Sequence, residues 1–263
     1  RRPAPSGQAG WLDGRWGAER GMRRTEWLPG RMLSIDVRDE LPEIVLDFHR
    51  TMGLPEDQID VMRTQGYGNF AKGVHPIPMQ FSRIVEGDVL RLGQRDWRVM
   101  IGEGHAPEHA CLYCADLGVL LAGDQILPRI TPHIGIHASE PEANPLQLYL
   151  DTLANFDHLP DDTLVLPSHG LPFYRLHPRL AFLRQHHAER LAILEEFCTE
   201  PTKVLSTLKV MFHRRLNPFE ALLGMSEAMS HLHYLMAQGR IIRETSDDGI
   251  WYYQASSRRA DAA

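Results

Sequence analysis

Between residues 81 and 127 the chain alternates short apolar runs with turn formers, and no other feature narrows its fold as much. FSRIV is followed by EGD, then by VLRLG, RDWRVMIG, HACLYCAD and VLLAGDQIL. Apolar residues at every second position, interrupted by Gly and Asp, mark consecutive strands joined by tight turns, because strand side chains alternate between faces. Helical patterns flank this block. Over 36–52, Leu41, Ile44, Val45, Phe48 and Met52 recur at spacings of three and four, the pattern of an amphipathic helix. A second helix is expected after Pro55, closed by the Gly-rich turn GYGNFAKG. Beyond the strands, 144–158 reads as a helix, TLVLPSHG as a strand ending in a loop, and 177–198 as a long helix. The order helix, strands, helix, strand, helix implies an α+β fold in which helices cover a sheet.

The two ends read differently. Residues 1–10 are Arg, Pro, Gly and Ser without periodicity and are expected to form a disordered lead-in to a main domain spanning 11–200. After Glu200-Pro201, PTKVLSTLKVMFHRR and PFEALLGMSEAMSHLHYLMAQG are helical patterns joined at Leu216, Asn217 and Pro218, the second stopping at Gly239. IIRETSDDGIWYYQ follows as two short strands around a hairpin turn. Helix, helix, hairpin over 201–256 is the layout of a winged helix, with 257–263 a frayed tail. The chain starts at Arg1 rather than Met, which reads as a fragment or a processed end.

Composition excludes several classes. The 28 Lys and Arg face 34 Asp and Glu, for a net charge of −6, so a general polyanion binder is not expected. The 201–256 segment carries six basic against five acidic residues, and its second helix has no Lys or Arg; it reads as a packing or homodimer element rather than a nucleic-acid reader. Only 3 Cys occur, which rules out a disulfide scaffold and favours a reducing compartment. No apolar run is long enough for a membrane span, and the N-terminus lacks the apolar stretch of a secretory signal, so a cytoplasmic protein is expected. Histidine goes the other way, with 14 in 263 residues.

Three segments each end a predicted strand with a metal-competent side chain in a Gly- or Pro-containing loop: Gly104-His105-Ala106-Pro107-Glu108-His109, Ala122-Gly123-Asp124 and Leu166-Pro167-Ser168-His169-Gly170. A strand end holds a ligand rigidly while the loop leaves it uncovered, as an open catalytic metal site requires. Imidazole nitrogen with carboxylate oxygen suits zinc, manganese or iron. His105, Asp124 and His169 are too far apart in sequence for a finger or a helical pair and would converge only through the fold.

These segments, in this order, resemble the metallo-β-lactamase superfamily, and within it the glyoxalase II-like hydrolases with a C-terminal winged helix. GHAPEHACLY is similar to the superfamily's G-H-x-P-G-H segment, LLAGDQIL to its bridging-Asp strand, VLPSHG to its last-ligand strand, and residues 184–191 and 201–254 to the helix and winged helix that follow. The resemblance implies an αββα sandwich with a binuclear metal site, two zinc ions or alternatively iron or manganese. His105 would bind the first metal, Asp124 would bridge both and His169 would bind the second. It also implies attack by a metal-bound hydroxide on an ester, thioester, lactam or phosphodiester. The family's H-x-H-x-D-H motif should precede AGWLDGRWGAERGMRRTEWLPGRML, where this chain has RRPAPSG, so four of seven family ligands are not found in these residues. His49 and His75 lie too far along to replace them.

The expected function is therefore a metal-dependent hydrolase of a small ester or thioester, in a chain that is truncated. A metal-free relative used for binding or assembly and a nuclease of the same superfamily are the alternatives. His109, His133 and Tyr174 are candidates for substrate contact or for support of a ligand, His133 sharing its loop with His137. Cys111 and Cys114 stand three apart on a strand, on opposite faces, which argues for packing rather than a redox pair. His186 and His187 read as packing residues within a helix, and His49 as a helix-surface residue.

Overall fold

The alternation over 81–127 forms the sheet it implies. In the computed structural model, which describes residues 8–17 and 20–256, the strands in this stretch are β2 (Ser82–Arg83), β3 (Val89–Leu92), β4 (Arg95–Gly102), β5 (His109–Cys114) and β6 (Val119–Gly123). They are preceded by β1 (Gly21–Met22) and followed by β7 (Leu164–Pro167). A five-stranded sheet has the order β3-β4-β5-β6-β7; its first three pairings are antiparallel, and β7 joins β6 in parallel. β1 and β2 form a separate two-stranded parallel pair. Gly93, at φ 63°, turns β3 into β4 with only Gly93 and Gln94 between the paired Leu92 and Arg95. A side chain there would strain the left-handed backbone. A parallel neighbour needs a long crossover; the chain makes it through residues 124–163, which include a helix.

Contacts divide the described residues into two units that do not follow chain order. One comprises residues up to 40, 65–132 and 151–181; the other comprises 41–64, 133–150 and 182 onward. The first holds the five-stranded sheet, with α1 (Ala9–Trp16), α2 (Arg24–Leu33) and α5 (Asn69–Lys72). Val99, Ile101 and Ile84 form a buried cluster against Leu90, Ala110 and Leu112. Met100, between Val99 and Ile101, is also buried, so this half of β4 is covered on both faces and reads as an unbroken apolar run. Two expectations change here. Helix α1 begins at Ala9, inside the stretch read as a disordered lead-in, of which residues 1–7 lie outside the described residues. The GYGNFAKG turn contains the short helix α5.

The second unit holds α3 (Glu43–Thr51), α4 (Glu56–Arg63), most of α6 (Pro145–Thr152), most of α7 (Leu176–Phe197), α8 (Val204–Met211) and α9 (Pro218–Ala237). Its strands β8 (Thr202–Lys203), β9 (Ile241–Thr245) and β10 (Trp251–Ala255) form an antiparallel sheet ordered β8-β10-β9. Helix α3 starts at Glu43, not near 36, because Pro42 takes an extended conformation and disfavours helix at the residue before it. Leu46, Phe48 and Met52 are buried, whereas Ile44 is 68% exposed, so the apolar face differs from the expected one. His49, expected on the helix surface, is half-buried, and its Nδ1 lies 2.7 Å from the Val45 carbonyl. The helix expected over 144–158 is α6 followed by a 3-10 turn, Leu153–Phe156. Helix α9 opens on a reciprocal cap: Asn217 Oδ1 accepts from the Glu220 amide, and the Glu220 carboxylate accepts from the Asn217 amide. The apolar residues Met225, Ala228, Met229, Leu232 and Leu235 are all fully buried, which fits a packing helix with no basic face. Residues 257–263, read as a frayed tail, lie outside the described residues.

Candidate metal centre

The sheet register brings the three sequence segments to one edge of the first unit. β4 ends at Gly102, which pairs with His109 at the start of β5. β6 ends at Gly123, paired in parallel with Pro167 at the end of β7, and Ser168 N–H donates to the Gly123 carbonyl at 2.9 Å. The loop after β4 therefore carries His105 to the same edge at which Asp124 follows β6 and His169 follows β7.

There Asp124 stands between two imidazoles. His105 Nε2 lies 3.4 Å from Asp124 Oδ2, and His169 Nε2 lies 3.4 Å from Oδ1. Asp124 is buried, while the His169 side chain is 49% exposed, so the cluster opens to solvent on the His169 side. The His105 imidazole beside it holds the Asp124 carboxyl below the ordinary carboxylate range, outweighing the opposing effect of burial. His109 accepts a hydrogen bond from the Asp124 amide at its Nε2, 3.1 Å away. Burial, with His105 as a lesser cause, pushes the His109 imidazole down to about 4, so it is neutral at physiological pH.

The loop carrying His105 is pinned by residues that sequence reading passed over. Glu108 stands where the family's G-H-x-P-G-H segment has Gly. Its carboxylate accepts from Arg23 and from the Thr25 hydroxyl, and its backbone N–H donates to Glu26 Oε1 at 2.8 Å. Arg23 also donates to the Ile84 carbonyl at 2.8 Å. These partners lie more than 80 positions from Glu108, and the one sequence signal was the departure from the family's Gly.

The other candidates have other surroundings. Tyr174 is 60% exposed, and no described contact ties it to Asp124 or to its histidines. His133 belongs to the second unit, where its Nδ1 lies 3.6 Å from Glu227 Oε2. His187 is fully buried against His231, its Nδ1 3.1 Å from the His231 Nε2. Cys111 and Cys114 are both buried and unbonded to each other, as packing thiols are.

The range matched by a family profile includes His105, Asp124 and His169. Residues 6–169 match the metallo-beta-lactamase superfamily, and residues 191–256 match the metallo-beta-lactamase-like C-terminal domain. The chain belongs to the metallo-beta-lactamase superfamily. A crystal structure of a beta-lactamase domain protein from Burkholderia ambifaria is similar with a TM-score of 0.86 and 35% identity, over 95% of this chain and 71% of that one. A metallo-beta-lactamase family protein from Thermus thermophilus gives a TM-score of 0.77 and 25% identity, over 95% of this chain and 76% of that one. A protein described as uncharacterized, from Aquifex aeolicus strain VF5, is 33% identical over 97 residues; these are 37% of this chain and 44% of that protein, so the match spans under half the length of that curated relative.

Members of the superfamily bind metal ions, and the residues here fit one in kind. Asp124 Oδ1 is buried without a hydrogen-bond partner, the deficit a cation would remove, and the two imidazoles complete a nitrogen and oxygen donor set. In number the set is partial. Each carboxylate oxygen faces one imidazole, and among the described residues no group of three or more His, Cys, Asp or Glu is placed to hold a metal ion. The three side chains are disposed as a carboxylate bridging two histidines, not as donors around one common centre.

Proposed function

We propose that the protein is a metal-dependent hydrolase, related to the glyoxalase II-like enzymes, that cleaves a small ester or thioester. The supporting observation is the buried Asp124 carboxylate between His105 and His169, at the edge where three strands end, with one oxygen lacking a hydrogen bond. His105 and Asp124 Oδ2 would hold one cation, zinc before iron or manganese, and His169 and Asp124 Oδ1 the other. Bound there, such ions lower the pKa of water and polarise a scissile carbonyl. The chain's own residues do the rest. Asp124 stays ionised because His105 depresses its pKa, and His109 stays neutral because it is buried. The exposed His169 marks the side from which a substrate would enter.

In this reading the 201–256 segment is a winged helix that packs rather than reads nucleic acid, and a homodimer through it is a further part of the proposal. Its α9 buries Met225, Ala228, Met229, Leu232 and Leu235 and carries no Lys or Arg. A second reading, a metal-free relative that serves binding or assembly, is favoured by the two-donor count at each position.

Calorimetric titration of the 263-residue chain with zinc separates the two. The hydrolase reading expects zinc uptake that weakens by about tenfold or more in Asp124→Asn, together with turnover of a thioester panel that Asp124→Ala abolishes. Uptake below about half an equivalent favours the metal-free relative. Turnover that survives Asp124→Ala overturns the assignment of the centre.

A further inference from the structure

The GHAPEHAC segment holds a second device beside His105. We infer that His109 and Cys111 position Asp124 through a hydrogen-bond chain that runs in one direction around the Ala122-Gly123-Asp124 turn; this rests on the reading of Asp124 as a metal ligand.

The direction of the chain follows from donor and acceptor counting. The Asp124 N–H donates to His109 Nε2 at 3.1 Å. A ring nitrogen that accepts from an amide carries no hydrogen, so the imidazole hydrogen sits on Nδ1. Nδ1 faces Cys111 Sγ at 3.7 Å, within reach of a sulfur acceptor, and the Cys111 thiol directs its own hydrogen to the Ala122 carbonyl at 3.5 Å. Each donor meets an acceptor. The opposite tautomer would set two N–H groups against each other at Nε2 and leave Nδ1 with no hydrogen to give the sulfur. The chain starts on the amide of residue 124 and ends on the carbonyl of residue 122, so it grips the last peptide units of β6.

Two further observations agree. His109 and Cys111 are two apart on β5 and therefore share a face, while Cys114 points to the opposite one. Gly123 sits against the ring at φ 54°, where an added Cβ would collide with His109 Cε1 and Nε2. The glycine lets the imidazole lie on the backbone. The Cys of the CxxC spelling thus has a place in the centre that needs no disulfide, and burial, which raises its pKa, keeps it a thiol able to donate. Both are positioning residues, since their hydrogen bonds run to the backbone of residues 122 and 124 and not to the Asp124 carboxylate.

Long-range nitrogen–proton NMR on the metal-free chain tests the tautomer, and amide exchange at Asp124 tests the grip. The expected results are hydrogen on His109 Nδ1 and none on Nε2, and exchange of the Asp124 amide accelerated about tenfold in His109→Phe, which keeps a ring but loses the acceptor. His109→Gln, whose carboxamide oxygen can accept, should recover most of the protection. If His109→Phe does not fold, Cys111→Ala serves in its place; it removes the acceptor for Nδ1–H and should shift the ring toward a mixture of tautomers. A zinc titration of the same variants should show affinity falling with protection. An Nε2-protonated ring in the wild-type chain, or unchanged Asp124 exchange in His109→Phe, overturns the inference. These NMR readouts need no metal, so their failure is distinct from a failure to bind zinc.

Discussion

His187 stands in helix α7 with no exposed surface, its Nδ1 3.1 Å from His231 Nε2 and its ring edge-on to Tyr149. His186, Arg190 and Glu227 complete the titratable groups around it. Burial lowers its pKa to about 3, so it is neutral in the folded chain, and burial lowers that of His231 as well. Unfolded, each titrates near 6.5. Below that pH the unfolded chain takes up protons that the folded chain refuses, so this contribution to stability is present above about pH 6.5 and is lost progressively toward pH 3. For His187 the loss approaches about 1.4 kcal/mol per pH unit, and His231 acts in the same direction. Urea midpoints at about pH 7 and about pH 5 should differ accordingly, and His187→Gln should flatten the difference; equal midpoints in the wild-type chain would refute the linkage. The signal for this burial was in the sequence. Leu176, Leu180, Leu183, His187, Leu191, Leu194 and Cys198 are all buried, at spacings of three and four, and His187 occupies a core position of that stripe. Asp124 is different, since its neighbours lie 19 and 45 positions away and only sheet register joins them.

Among the elements, local chemistry accounts for two helix starts. Pro42 sets the start of α3, and Asn217 with Glu220 sets the start of α9. Asn217→Ala removes the side-chain acceptor for the Glu220 amide and should destabilise the chain by about 1 kcal/mol in urea denaturation, with the denaturant slope unchanged. An effect near zero would mean that tertiary packing alone holds α9. Where boundaries were misplaced, a competing constraint won. Periodicity ran the expected α3 back to residue 36, but the residue before a proline resists helix. The face was misplaced too, because Ile44 fits the spacing yet Leu46 is the residue that packs. The strands over 81–127 were the most legible elements, since an error of one residue would send every side chain to the wrong face, whereas β8, at Thr202–Lys203, lies inside a stretch read as helical.

For the molecule as a whole, ligand linkage offers the broadest check. If zinc binds the folded chain at the Asp124 cluster and not the unfolded chain, zinc at about one hundred times its dissociation constant should add about 2.7 kcal/mol of stability. Differential scanning calorimetry should show the rise in Tm, its reversal by a chelator and its absence in Asp124→Asn. A rise that persists in Asp124→Asn would place the zinc elsewhere. Fold class and the candidate donors His105, Asp124 and His169 could be read from residue order, because period-two runs, turn residues and strand-end donors are local features that survive in a linear string. Among the described residues, the division into contact units, the pinning of Glu108 by Arg23 and Thr25, and the facing of His105 and His169 across Asp124 could not. Each depends on residues far apart in the chain meeting at a sheet edge or a helix end, and such a meeting is chosen by register and packing, to which spacing along the chain is blind.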